Sequence, residues 1–92
     1  MNKARRLKLA IIKKKLLDLT FEIEKVEDEE QSAFDNLPEA IADSERGDQM
    51  TEFVELLNSS RDKIDEAMEE IDEVIETETA INRGIEIETA IA

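Results

Sequence analysis

The sequence predicts an all-α protein, an antiparallel two-helix hairpin of coiled-coil type that extends naturally to association in a small bundle. Three observations predict it. In 92 residues, 40% are charged and 40% apolar, with only two Gly and one Pro, the balance of a coiled coil or long helix pair. Apolar residues recur at alternating steps of three and four. The charge is split along the chain: residues 1–26 carry eight basic and three acidic side chains, and residues 27–92 carry 22 acidic and four basic ones.

The chain reads as one domain, residues 1–92, because so short a polypeptide supports a single modest core. The first helix is expected over about residues 3–36. Its seam is Leu9, Ile12, Leu16, Leu19, Ile23 and Val26, continuing at the same spacing through Glu30, Ala33 and Leu37. Leu17, Phe21 and Phe34 widen this stripe. A stripe broader than a strict coiled-coil seam favours a small bundle over a bare two-stranded coil.

An elbow is expected over residues 37–47. Pro38 has no amide hydrogen and pushes Leu37 out of helical geometry, so the helix ends near Asn36. Pro38 to Asp43 fit one helical turn that would set Ile41 on the end of the core. Ser44 suits the N-cap of the second helix, and Glu45 suits its first turn. Gly47 costs a helix ~1 kcal/mol, which leaves the start of that helix between Ser44 and Asp48.

The second helix is expected over about residues 48–83. Met50, Leu57, Ile64, Ile71, Glu78 and Ile85 repeat every seven residues. Phe53 with Val54, Ala67 with Met68, Val74 with Ile75, and Ile81 accompany them. Ser60 and Arg61 form a polar layer of the kind that fixes register at some cost in stability. Folding back through a short elbow sets Lys13–Lys15 beside Glu66–Ile71 and Lys8 beside Asp72–Glu76, so opposite charges select the antiparallel arrangement.

Residues 84–92 form a tail beyond the reach of the first helix. Ile85 to Ile91 nearly repeats Ile75 to Ile81. The tail either extends the helix or, with Asn82-Arg83-Gly84 as a turn, pairs as a β-hairpin. The helical phase of Ile71, Val74, Ile81 and Ile85 favours the helix. Unpaired Ile85, Ile87 and Ile91 then become a candidate contact surface, as do the exposed carboxylates Glu66, Glu69, Glu70, Glu73 and Glu76.

The composition argues against catalysis. His and Cys are both absent, which removes imidazole bases, thiolate nucleophiles and ordinary zinc ligation. No catalytic, cofactor or metal residue is assigned. The segment Asp43 to Asp48 has a superficial likeness to a calcium loop. Its glycine falls one position early, and Val54 stands where a bidentate acid is required. The basic segment Lys3–Lys15 lacks interleaved aromatics, so direct nucleic-acid binding is not expected. No membrane association is expected either, since the apolar runs are short and the amphipathic stripe continues into an intramolecular seam. The lack of Cys suits a reducing, cytoplasmic setting.

The stretch Phe34-Asp-Asn-Leu-Pro-Glu-Ala-Ile41, then Ser44-Glu-Arg-Gly47, Met50 and an Ile-Asp-Glu-Ala helix resembles a group of short acidic proteins of Firmicutes bacteria and their phages. The likeness covers roughly residues 28–75. Ala40 replaces a serine of that pattern, and the Thr/Ile-rich tail departs from it. The resemblance implies a helical hairpin from a bacterium or phage and carries over no site residues.

Three functions fit these features. The first is a non-enzymatic interaction or structural module that binds a protein partner or itself, as a homodimer, through its helical surface. The second is an acidic decoy that mimics nucleic acid and blocks a basic nuclease or DNA-binding protein. The third is a phage virion or scaffold component.

Overall fold

The structure, a computed structural model, describes residues 1–91, with side chains described as far as Ile81. Helix α1 spans Lys3–Asp35, the single turn α2 spans Glu39–Ala42, and α3 spans Glu45–Ile91. There is no strand among the described residues. The long helices pack against each other to give a rod of 76 × 15 × 14 Å. Its radius of gyration is 21.3 Å, against about 12 Å for a compact chain of this length.

Local chemistry sets the ends of α1. Asn2 caps its start, with Oδ1 accepting from the Arg5 amide at 2.9 Å. Asn36 closes its end. Its backbone amide and its Nδ2 both donate to the Ser32 carbonyl, at 3.1 and 2.8 Å. The Leu37 amide bonds the Phe34 carbonyl, and Pro38 then turns the chain.

The expected turn within the elbow is present as α2, but Ile41 is exposed. Leu37, Ala42 and buried Gly47 close this end instead. Ser44 occupies the cap position of α3, its carbonyl accepting from the Asp48 amide at 3.1 Å. Its hydroxyl turns back and donates to the Ile41 carbonyl, so the side chain serves the end of α2 and not the start of α3. Helix α3 starts at Glu45, earlier than residue 48, and takes Gly47 into its first turn. A Cβ on Gly47 would stand 1.9 Å from the Ala42 carbonyl oxygen. The glycine is what allows α2 to lie against α3.

Helix α3 runs on through Gly84 to Ile91. The tail therefore extends the helix, and the β-hairpin alternative is set aside. The side chains of Ile85, Ile87 and Ile91, and Ala92 entirely, lie outside the described residues.

Three ion pairs fix the hairpin as antiparallel. Met1 meets Glu78, Lys13 meets Asp72, and Glu27 meets Arg61, so positions rise along α1 as they fall along α3. Lys13 Nζ reaches both Asp72 oxygens at 2.5 and 2.6 Å. Both side chains are more than a third exposed, so this pair selects orientation more than it stabilises. Lys13→Ala should lower stability by less than about 1 kcal/mol in a urea titration.

Candidate functional site

The buried faces follow the expected heptad but not all of the expected residues. On α1, Leu9, Leu16, Ile23, Glu30 and Leu37 are shielded, as the pattern predicts. Their companions are Lys13, Thr20, Glu27 and Phe34. Ile12, Leu19, Val26 and Ala33, one residue earlier in each case, are exposed. On α3, Met50, Leu57, Ile64, Ile71 and Glu78 are shielded together with Val54, Arg61, Met68 and Ile75. Phe53, Ser60, Ala67, Val74 and Ile81 are exposed.

The cause is geometric. Each helix presents about three apolar positions per heptad, and a two-helix contact covers two of them. One row on each helix must remain outside.

Polar chemistry decides which row that is. Glu27 is almost fully buried, at 5% exposure. Arg61 lies across from it in the seam. Its Nε donates to Glu27 Oε2, and its Nη2 donates to Oε1 at 3.3 Å. This hydrogen bond holds the Arg61 pKa above its ordinary value, with the Glu27 charge adding to the effect and burial opposing it. A raised pKa means the guanidinium's contribution is fully present below the ordinary value and is lost only above the raised one. Arg61 therefore stays charged throughout the working pH range. Buried Thr20 satisfies its hydroxyl by donating to the Leu16 carbonyl of its own helix at 2.9 Å. The polar layer expected at Ser60 and Arg61 is thus carried by Arg61. Ser60 faces out and bonds the Leu56 carbonyl.

The excluded rows form a surface of their own. Val26 and Phe53 line one open groove together with Glu30, Leu56 and Leu57, which places the two exposed rows on the same side of the hairpin. Val26 and Leu56 are each more than half exposed, at 51% and 56%. This stripe continues along α1 through Leu19 and Ile12, and along α3 through Ala67, Val74 and Ile81.

The opposite flank differs. There, Ala10, Leu17 and Lys14 of α1 meet Asp72 and Ile75 of α3. Leu7, Ile11 and Phe21 are further exposed apolar side chains of α1. The row of α3 at Asp48, Glu55, Asp62, Glu69 and Glu76 is entirely acidic and exposed.

The candidate carboxylates fall on three different rows. Glu69 and Glu76 belong to that acidic row, Glu66 and Glu73 to the outermost one, and Glu70 borders the apolar stripe. All five are exposed. Among the described residues, no group of three or more carboxylates converges on a point that could hold a metal ion. No helix of the described residues is long and apolar enough to cross a membrane.

No protein-family model, curated protein or solved structure matches the chain.

Sequence reasoning missed the stripe as a surface because Ile12, Leu19 and Val26 fit the seam spacing perfectly well. A signal was present in the pairing. Moving the seam by one residue admits Lys13 and Glu27, and each finds an opposite charge on α3.

Proposed function

We propose that this chain is a small non-enzymatic interaction or structural module, of bacterial or phage origin, that binds protein through its helical surface in the cytoplasm. The observation that supports this reading is the apolar stripe left outside the hairpin on both long helices. Contiguous exposed apolar surface costs solubility, and in a soluble chain it marks a contact site. Only Met50 and Met68 among the described apolar side chains are buried, so the hairpin gains much by further burial.

The test compares the wild-type chain with Val26→Lys/Leu56→Lys in extracts of its source cell. Both side chains are exposed, so the double variant should keep its helicity. The wild type should elute in a complex larger than 10.5 kDa, and the variant at the monomer position. Coincident elution of both as free monomers contradicts the reading.

A second reading, the acidic decoy, is favoured by Glu66, Glu69, Glu73 and Glu76. Steps of three and four set them on one outward face of α3, and all are exposed. Duplex DNA carries one charge per ~1.7 Å of axis, a denser array than these carboxylates offer. That comparison ranks the decoy second. On that reading, binding to a basic nuclease should weaken steeply between low and high salt, and salt-insensitive binding excludes it.

A further inference from the structure

The apolar stripe has a symmetry that identifies its occupant. On α1 its main members are Ile12, Leu19 and Val26, with Leu19 at the centre. On α3 they are Phe53, Ala67, Val74 and Ile81, together with Ser60, and Ala67 is at the centre. The antiparallel register places Leu19 within about two residues of Ala67 along the rod, ~3 Å. One two-fold axis, crossing the stripe at right angles to the rod, can therefore pass close to both centres. Such an axis sets Leu19 on its own copy, Ile12 opposite Val26, Val74 opposite Ser60, and Ile81 opposite Phe53.

The borders of the stripe obey the same symmetry. On α1 the bordering row is Lys8, Lys15, Glu22 and Glu29, all exposed. Reversing this row about its centre brings Lys8 against Glu29 and Lys15 against Glu22. On α3 the bordering row is Gln49, Leu56, Lys63, Glu70 and Thr77. Reversal about Ala67 brings Lys63 against Glu70. The chain carries a net charge of −13, and the row of α3 on the opposite flank is wholly acidic. The two rows that frame the stripe are nonetheless charge-balanced, and each is complementary to its own reverse. A foreign partner demands no such self-complementarity, whereas an isologous contact requires it.

The surface area is of the right size. The chain exposes 7094 Å², against about 5,400 Å² for a compact monomer of its mass. A stable interface removes about 800 Å² from each partner, so the excess is ample.

We infer that the occupant is a second copy of this chain, docked stripe to stripe about a two-fold axis so that α1 lies antiparallel on α1 and α3 on α3 in a four-helix bundle. This rests on the interaction reading above and names its partner. Apolar burial supplies the affinity. The rim pairs, each weak in water, select this docking over the one that crosses α1 onto α3.

Because the native chain has no Cys, single-cysteine variants report the docking cleanly. The pure full-length chain at about 50 µM should scatter light as a dimer that dissociates on dilution. Under mild oxidation, Leu19→Cys should cross-link to itself within that dimer, as should Ala67→Cys. Ile12→Cys alone should not, but a mixture of Ile12→Cys and Val26→Cys chains should give the mixed product. Lys15→Glu should weaken the dimer several-fold, and adding Glu22→Lys in the same chain should restore it.

A pure chain that stays monomeric overturns the inference, and it leaves the interaction reading to the extract experiment. A dimer in which Leu19→Cys links only to Ala67→Cys overturns the inferred docking, because that pattern belongs to a two-fold axis running along the rod, which sets α1 on α3. Circular dichroism on each variant confirms that the hairpin is intact.

Discussion

Gly47→Ala should destabilise the protein, although alanine is the better helix former. The substitution sits within the first turn of α3, where the intrinsic preference for alanine is worth up to ~1 kcal/mol. Against it stands the Ala42 carbonyl oxygen, 1.9 Å from the new Cβ, with the Ala42 carbonyl carbon at 2.6 Å and its Cα at 2.9 Å. All three are backbone atoms, so no side chain can swing aside. Either α2 lifts from α3 or the start of α3 unwinds. Forced overpacking of this kind costs ~1–3 kcal/mol or more, and the net loss should lower Tm by about 10 °C in a chain of this size. A thermal melt followed by circular dichroism reads the change. Ser59→Ala, about three turns further along α3 and exposed, serves as the control and should move the midpoint little. A melt of Gly47→Ala at or above wild type would mean that the elbow is looser than its geometry implies.

Glu27→Ala should have the next largest effect. It strands the Arg61 guanidinium between the helices without its bidentate acceptor. Removing one member of a shielded pair leaves an uncompensated charge, so a Tm loss on the order of 10 °C is expected. The exchange Glu27→Arg/Arg61→Glu should recover most of it, because the same two positions still meet.

Replacing both residues is a different experiment. Glu27→Leu/Arg61→Leu trades a desolvated ion pair for apolar packing and should match or raise the wild-type melting point. It should also loosen specificity. With an apolar side chain at position 27, α1 can rotate by one residue and bring Val26, Leu19 and Ile12 inward at little cost. The double variant should therefore show a broader melt and extra conformers in amide NMR spectra, whereas the wild type gives one set.

These two sites explain how much of the molecule can be read from residues alone. The hairpin itself is legible because Pro38 ends one long apolar repeat and the charge split favours folding back. The heptad positions at Leu9, Leu16 and Ile23, and at Met50, Leu57 and Ile64, are legible because no competing residue shares their phase. The second seam position on α1 is not legible from hydrophobicity. There, Ile12, Leu19 and Val26 compete with Lys13, Thr20 and Glu27, and an apolar count chooses the former. The choice turns on pairing across to α3, with Asp72 and Arg61, and on the hydroxyl of Thr20 bonding its own helix. The exposed stripe follows from that choice. The role of Gly47 is hidden for a similar reason, since its value lies in a carbonyl brought against it by the turn at Pro38.

Lys13, Thr20 and Glu27, and not Ile12, Leu19 and Val26, face α3. The most direct measurement is a pair of intrachain cross-linking experiments at concentrations low enough to suppress association. Between the Lys13–Asp72 and Glu27–Arg61 pairs, the register sets Thr20 level with Glu66 and Ala67, and the nearest seam residue of α3 is buried Met68. Thr20→Cys/Met68→Cys should close an intrachain disulfide readily and retain full helicity. If that pair stays reduced while Leu19→Cys/Met68→Cys closes instead, α1 is rotated and the stripe is core.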